Sequence, residues 1–372
     1  MGQRDSEPSR HTRHSVVKLL IQPQDGIEAL LSAIKKAKKT IEIVIFRFDR
    51  AEIEAALMAA VRRGVSVSAL IAYANRGGEK HLRKLEMRLL AAGVNVSRTP
   101  AKLARYHNKM MIVDRQVLFV LSFNFTHLDI DHSRAFGIVT RKTRLVQEAI
   151  KLFEADSQRK SYTAGLDTFI VSPVNARKQL AAFIHKAKKE LLIYDPNIAD
   201  AEMAKALVNR ARAGVQIRVI GAMSRKNEHI DIRCLTGLRL HTRTIIRDRR
   251  EAFVGSQSLR KIELDQRREV GVIVRAPKTV GRLVDTFHAD WSAKELSNNP
   301  EATAKDLKKA VKSAAAELTY LNPIVRQAVR DVVAKTGGED LEPKDVQRSI
   351  QTAVKEAVRE RVQEIMNEAA ET

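Results

Sequence analysis

The chain repeats itself, and the repeat limits what it can fold into. His107, Lys109, Asp114, Ser122 and Asn124 are separated by one, four, seven and one intervening residues. His241, Arg243, Asp248, Ser256 and Ser258 stand at the same spacings, each 134 residues later. Upstream, Ile34-Lys-Lys-Ala-Lys-Lys39 matches Ile184-His-Lys-Ala-Lys-Lys189, and Arg63-Gly64-Val65 matches Ala213-Gly214-Val215, at an offset of 150. Phe153-Glu-Ala-Asp156 and Phe287-His-Ala-Asp290 return to 134. The second copy must therefore lack about 16 residues between Ile220 and His241, where the first copy carries a helix expected over Lys80–Ala92. A duplication at this length means two similar supersecondary units, and such halves pack about a pseudo-twofold axis as a fused dimer would.

Each half alternates strand and helix patterns. In the first, apolar runs at Val16–Ile21, Ile41–Phe48, Val65–Ile71 and Val94–Val96 read as strands. Periodic stretches at Gly26–Lys39, Ala51–Arg63, Lys80–Ala92 and Leu145–Asp156 read as helices, two of them stopped by Gly64 and Gly93. The order restarts near Thr168 with Lys178–Lys189, Leu191–Tyr194, Ala201–Ala213 and Val215–Ile220. Around the repeated polar residues, Met110–Val113 and Val117–Leu121 are buried strands split by Asp-Arg-Gln, with His107 and Lys109 on one face by period two. The expected fold is α/β: two halves of mixed sheet flanked by helices, plus a helical C-terminal tail. The boundaries expected are a basic arm at residues 1–15, the halves at 16–160 and 161–296, and the tail at 297–372. Within the tail, Ala302–Leu318, Pro323–Lys335 and Pro343–Ala370 carry helical patterns. They are open to packing on the core, to self-association or to a protein partner.

Charge narrows the partner. The net charge is +22, yet Ser297 to Thr372 holds 12 basic and 13 acidic residues. The duplicated region thus carries 54 basic against 31 acidic residues, a net of +23. Such a field concentrates polyanions, either nucleic acid or anionic lipid. No apolar run reaches the roughly 18 residues of a membrane span, and the N-terminus has no signal-peptide pattern, so a cytoplasmic location is expected. The single cysteine, Cys234, excludes an intramolecular disulfide and reads as an inert buried thiol.

A histidine beside a lysine, followed by short polar residues, suits a phosphate: one group attacks or protonates, one holds negative charge, and the others orient oxygens. The doubled pattern resembles the signature of the phospholipase D superfamily, His-x-Lys, four residues, Asp, six residues, Gly-Ser-x-Asn, occurring twice. The resemblance spans roughly residues 15–295. Three positions depart from it: Leu121 for the first Gly, Arg243 for the second Lys, and Ser258 for the second Asn.

The resemblance implies one composite active site and two-step phosphodiester exchange through a phosphohistidine. One histidine attacks, the other is general acid and base, and Lys109 and Arg243 neutralise the non-bridging oxygens. Ser122, Asn124, Ser256 and Ser258 would donate to the substrate, while Asp114 and Asp248 are read as structural. No metal and no cofactor is asked for. The resemblance also places a carboxylate against a catalytic histidine, and Glu269 occupies that position where the first half has Ala135. Glu269 is then expected to orient His107 across the pseudo-twofold, which makes His107 the nucleophile, His241 the acid, and leaves His241 without such help. A metal-independent nuclease acting on DNA or RNA is the expected activity. A phospholipase or phosphatidyltransferase of the cardiolipin-synthase kind, and an inactive nucleic-acid-binding protein, stay open.

Overall fold

A computed structural model of the protein describes residues 17–73, 79–100, 102–225 and 227–293. The arm and the tail helices expected from the sequence lie outside these residues. The first sheet runs in the order Lys18–Gln22, Ser133–Thr140, Val117–Leu121, Met110–Val113, Thr40–Ile45, Ser66–Ile71, Asn95–Arg98. The second runs Phe169–Val171, Val270–Val274, Glu251–Gly255, Arg243–Arg247, Glu190–Ile198, Gln216–Met223, Asp231–Arg233, so the strands correspond one for one. Both sheets are mixed, with the last three strands of each order parallel and the others antiparallel.

The missing 16 residues are visible in this correspondence. Helix Glu79–Ala91 links Ser66–Ile71 to Asn95–Arg98, whereas Gln216–Met223 reaches Asp231–Arg233 with no helix among the described residues. Cys234 follows that edge strand and is exposed, which corrects the expectation of a buried thiol: the last strand of the sheet has no neighbour to cover its end.

Strand alternation builds three apolar layers. Val44, Met110, Ile112, Leu118 and Phe136 meet Leu192, Tyr194, Ile246, Val254 and Val272 in one core shared by the two halves, closed by helices Thr143–Ser157 and Pro277–Ser292. The alternate residues Ile43, Ile45, Met111 and Val113 face outward under helices Glu28–Lys36, Ala51–Arg62 and Glu79–Ala91. Helices Ala176–His185 and Ala201–Arg212 cover the second sheet in the same way.

The repeated aspartates explain the repeated lysine-rich word. Asp114 and Arg115 both have φ 52°, and Asp248 and Arg249 have 52° and 53°, so each hairpin turns through the left-handed region. From there the Asp114 carboxylate accepts from the backbone N–H groups of Lys38, Lys39 and Thr40 at 2.6–3.1 Å. Asp248 does the same for Lys188, Lys189 and Glu190 at 2.7–3.1 Å. Burial acts to raise both carboxylates, but the backbone donors outweigh it and hold them below the usual range. Ile34, Ala37, Ile184 and Ala187 are buried, so each loop is fastened by its apolar residues and by three amides.

Two buried ion pairs tie the halves together reciprocally. Arg134 donates to both carboxylate oxygens of Asp290 at 2.8 and 2.9 Å, and Arg268 donates to Asp156 at 2.9 Å. Arg134 and Arg268 are repeat partners, as are Asp156 and Asp290. Asp156 is 1% exposed, so removing Arg268 would strand a buried carboxylate. Arg268→Met is expected to lower stability by about 3–5 kcal/mol in urea denaturation, and Arg268→Met with Asp156→Leu to recover most of that loss. Equal stability of the single variant and the parent would show the pair to be unimportant.

Candidate active site

The histidines are set by exchanged strands. Arg105–Tyr106 pairs in parallel with Arg267–Arg268 of the other half, and Arg239–Leu240 pairs in parallel with the start of Ser133–Thr140. Immediately after each two-residue strand comes a motif histidine. The His107 N–H donates to the Arg268 carbonyl at 2.8 Å, and the His241 N–H to the Arg134 carbonyl at 3.1 Å. His107, Asn108 and Lys109 thus lie between two short strands, Arg105–Tyr106 and Met110–Val113, and not within one continuous strand as period two suggested. The two side chains still meet, with Lys109 Nζ 2.9 Å from His107 Nε2.

Glu269 is fully buried and both its oxygens lie 3.0 Å from His107 Nδ1. A carboxylate there fixes the Nδ1–H tautomer and leaves the Nε2 lone pair outward, where the Lys109 ammonium now donates to it. Phe46 stands edge-on to the His107 ring, centroids 4.6 Å apart at 78°, and Lys109 and Arg105 lie over Phe46 at 5.5 Å. Burial, then the cations Lys109, Arg243, Arg267 and Arg105, hold His107 well below the ordinary imidazole range, so it is neutral at pH 7. Burial also pulls Lys109 down to about 7, against the opposing carboxylate of Glu269. Glu269 itself is raised by burial, with Lys109 acting the other way.

His241 does have a carboxylate beside it, contrary to the expectation drawn from Ala135. Asp129, in the short helix His127–Asp131, places Oδ2 3.3 Å from His241 Nδ1. That oxygen already accepts from the Asn124 backbone N–H at 2.6 Å and from its side-chain amide at 2.7 Å. Arg239 donates to the other oxygen. His241 Nδ1 is buried and makes no hydrogen bond, so Asp129 attends it loosely where Glu269 grips His107. Burial, then Arg239, Arg243, Lys109 and His107, hold His241 well below the imidazole range. Charges of each motif thus act on the other's histidine, as one site requires.

The three departures have physical accounts. Arg243 donates to the His241 carbonyl at 2.8 Å as Lys109 donates to the His107 carbonyl at 2.6 Å, so the replacement keeps its anchor. Leu121 fills space over Gly137: a Cβ on Gly137 would come 2.7 Å from Leu121 Cδ2. In the second half the Phe253 ring takes that space, and a Cβ on Gly255 or Gly271 would meet it at 2.6 or 2.3 Å. Ser258 donates its hydroxyl to buried Asp195, which burial raises to about 6. That bond takes Ser258 out of the group offered to a phosphate. Ser122 and Ser256 are buried and bridge to the neighbouring strands: their hydroxyls accept from Phe136 and Val270 N–H at 2.9 and 3.1 Å. Asp114 and Asp248 lie at the opposite ends of the motif strands from the histidines.

Phe46, Asp129, Asp195 and Arg239 escaped the sequence reading. Asp129 had a signal, since Glu263 is acidic at the same 134-residue offset and accepts from the Ser258 N–H at 2.7 Å as Asp129 does from Asn124. Phe46 had none, because its counterpart at the 150-residue offset is Pro196.

The family described as "Cardiolipin synthase, PLD-like domain" matches residues 30–157 and 180–291, one stretch in each half. The chain is 23% identical over 352 residues to a cardiolipin synthase of Listeria innocua serovar 6a, covering 79% of this chain and 72% of that protein. It is 29% identical over 140 residues to a mitochondrial cardiolipin hydrolase of Danio rerio, covering 36% of this chain and 59% of that protein. Its fold is similar to the crystal structure of a phosphatidylserine synthase of Haemophilus influenzae Rd KW20, with TM-score 0.58, 11% identity, and 82% and 94% of the two chains covered. Together with the doubled motif and the matched sheets, the two family matches mean that the chain belongs to the phospholipase D superfamily of phosphodiesterases.

Proposed function

We propose that the chain exchanges phosphodiesters in two steps with His107 as nucleophile. The observation that carries this reading is the 3.0 Å contact of both Glu269 oxygens with His107 Nδ1. It leaves Nε2 as the attacking atom and stabilises the positive ring that forms. Nε2 attacks phosphorus, an N–P bond forms, and the P–O bond to the leaving group breaks while His241 gives that oxygen its proton. His241 then takes a proton from water or an alcohol, whose oxygen attacks phosphorus and breaks the N–P bond. Lys109 and Arg243 hold the non-bridging oxygens throughout. Phosphate charge entering among Lys109, Arg239 and Arg243 offsets the cations that depress His241, so the ring can carry the proton it must donate.

The substrate favoured is nucleic acid, on the net +23 of the duplicated region. A phospholipid substrate is the second reading, supported by the names of the two relatives. The test is to quench the EDTA-treated protein in alkali during turnover of single-stranded RNA, plasmid DNA and cardiolipin vesicles in parallel. An acid-labile, alkali-stable phosphoenzyme, with cleavage of nucleic acid, is expected. Because Lys109 and Arg243 supply the positive charge, activity should survive chelation. Loss in EDTA restored by a divalent metal would overturn the mechanism, and turnover of the vesicles alone would overturn the substrate.

A further inference from the structure

We propose that the two lysine-rich loops form a second nucleic-acid backbone contact, remote from the catalytic centre. The fold explains part of the repeated word at residues 34–39 and 184–189. Its isoleucine and alanine are buried, and three amides of each loop hold Asp114 or Asp248. None of that calls for lysine. Yet Lys35, Lys36, Lys38 and Lys39 are all exposed, as are His185, Lys186, Lys188 and Lys189. Three of the four positions that packing leaves free are lysine in both copies, and the fourth is Lys35 in one and His185 in the other. No side chain among these seven lysines has an ion-pair partner within 4.0 Å among the described residues. The carboxylates nearby are engaged: Asp114 and Asp248 by backbone amides, Glu42 by Arg115 and Glu190 by Arg249. Each loop also gains an arginine from the next helix, where Arg63 donates to the Ile34 carbonyl at 2.9 Å and Arg210 to the Ala187 carbonyl at 2.6 Å.

Position identifies the ligand class. Lys39 immediately precedes strand Thr40–Ile45, and Phe46 at the far end touches His107. A strand of this length puts about 20 Å between the lysines and the catalytic cluster. The second half repeats the arrangement along Glu190–Ile198, whose far part holds Asp195 against Ser258. A single diester cannot touch both places, and a membrane lying on the loops would leave the catalytic cluster about 20 Å from its headgroups. The exposed large apolar side chains among the described residues, Tyr73, Met87, Leu90 and Val174, belong to other segments, so no apolar wedge accompanies the lysines. A nucleic acid spans the distance: about 20 Å is roughly six steps of about 3.4 Å along one strand of a duplex, each carrying a phosphate, and fewer steps of an extended single strand.

The inference rests on the nucleic-acid reading of the active site, and the test separates the two. A Lys35→Gln, Lys36→Gln, Lys38→Gln, Lys39→Gln variant and a Lys186→Gln, Lys188→Gln, Lys189→Gln variant are compared with the parent by titration of labelled single-stranded 2-mers and 30-mers at several salt concentrations. Hydrolysis of bis(p-nitrophenyl) phosphate is measured alongside. For the 30-mer, affinity should fall more than tenfold, and the slope of log K against log salt should flatten by about 0.7 per lost single-strand phosphate contact. The 2-mer should bind nearly as before, and the small diester should turn over at the parent's rate, which also shows that the variants fold. Unchanged 30-mer binding and salt slope would overturn the proposal. Loss of binding confined to anionic vesicles would assign the loops to a membrane and overturn it equally. If the parent fails to cleave the 30-mer yet binds it through the lysines, the reading of the active site fails and the contact stands.

Discussion

Replacing His107 with Asn is expected to remove turnover of every diester by about 10⁴-fold or more and to abolish covalent labelling. Asn keeps a polar group against Glu269 but has no nucleophilic nitrogen to attack phosphorus, because its amide lone pair is delocalised into the carbonyl. His241→Asn should behave differently. With an activated leaving group such as p-nitrophenolate, the first step needs little proton donation, so the phosphoenzyme should form. It should then persist, because no base remains to activate water, and steady-state turnover should fall about 10²–10⁴-fold. A burst of about one p-nitrophenolate per chain, followed by a stalled phase, is the expected trace for His241→Asn, and no burst for His107→Asn. Label recovered on His241 in the parent would reverse the assignment. Near-parental activity in both variants would contradict one composite site.

Much of the fold could be read from the chain because duplication doubles every signal. Helix Ala51–Arg62, stopped before a glycine, has its copy at Ala201–Arg212, and the strands that follow agree to within a residue or two. The change of offset from 150 to 134 marks the place of the crossover helix that the second half lacks. The chain was less informative where partners come from the other half. The strands Arg105–Tyr106 and Arg239–Leu240 are two residues each, with no alternation to detect, and exist because the opposite half supplies their ladder. Ser258 looked like a phosphate donor on spacing alone, while its hydroxyl is taken by Asp195, 63 residues away, a pairing no local pattern encodes. The exposure of Cys234 has no local signal because burial depends on sheet order: it follows Asp231–Arg233, the edge strand of its sheet as Asn95–Arg98 is of the first.

The two carboxylates should divide the two histidine roles, and their amide variants should show it. Glu269→Gln replaces the group that fixes the His107 tautomer, and a Gln offers its N–H to Nδ1 as readily as its oxygen. The lone pair can then sit on the wrong nitrogen, and a loss of about 10³–10⁴-fold in the rate of phosphoenzyme formation is expected, by analogy with the tautomer effect in serine proteases. Asp129→Asn should act later and more weakly. Asp129 shares one oxygen between two Asn124 donors and 3.3 Å proximity to His241 Nδ1, and gives the other to Arg239. A carboxylate so occupied does little to stabilise a protonated ring. That suits an acid, which must release its proton to the leaving oxygen, as firm support suits a nucleophile that carries positive charge through the intermediate. Asp129→Asn should therefore leave the p-nitrophenolate burst close to parental while slowing breakdown of the phosphoenzyme by about 10–100-fold, less than the roughly 10²–10⁴-fold that a whole general base contributes, because His241 itself remains. Rapid-quench measurement of formation and breakdown in both variants separates the effects. A burst slowed equally by the two substitutions would mean that Asp129 and Glu269 serve the same step, and the division of roles would be wrong.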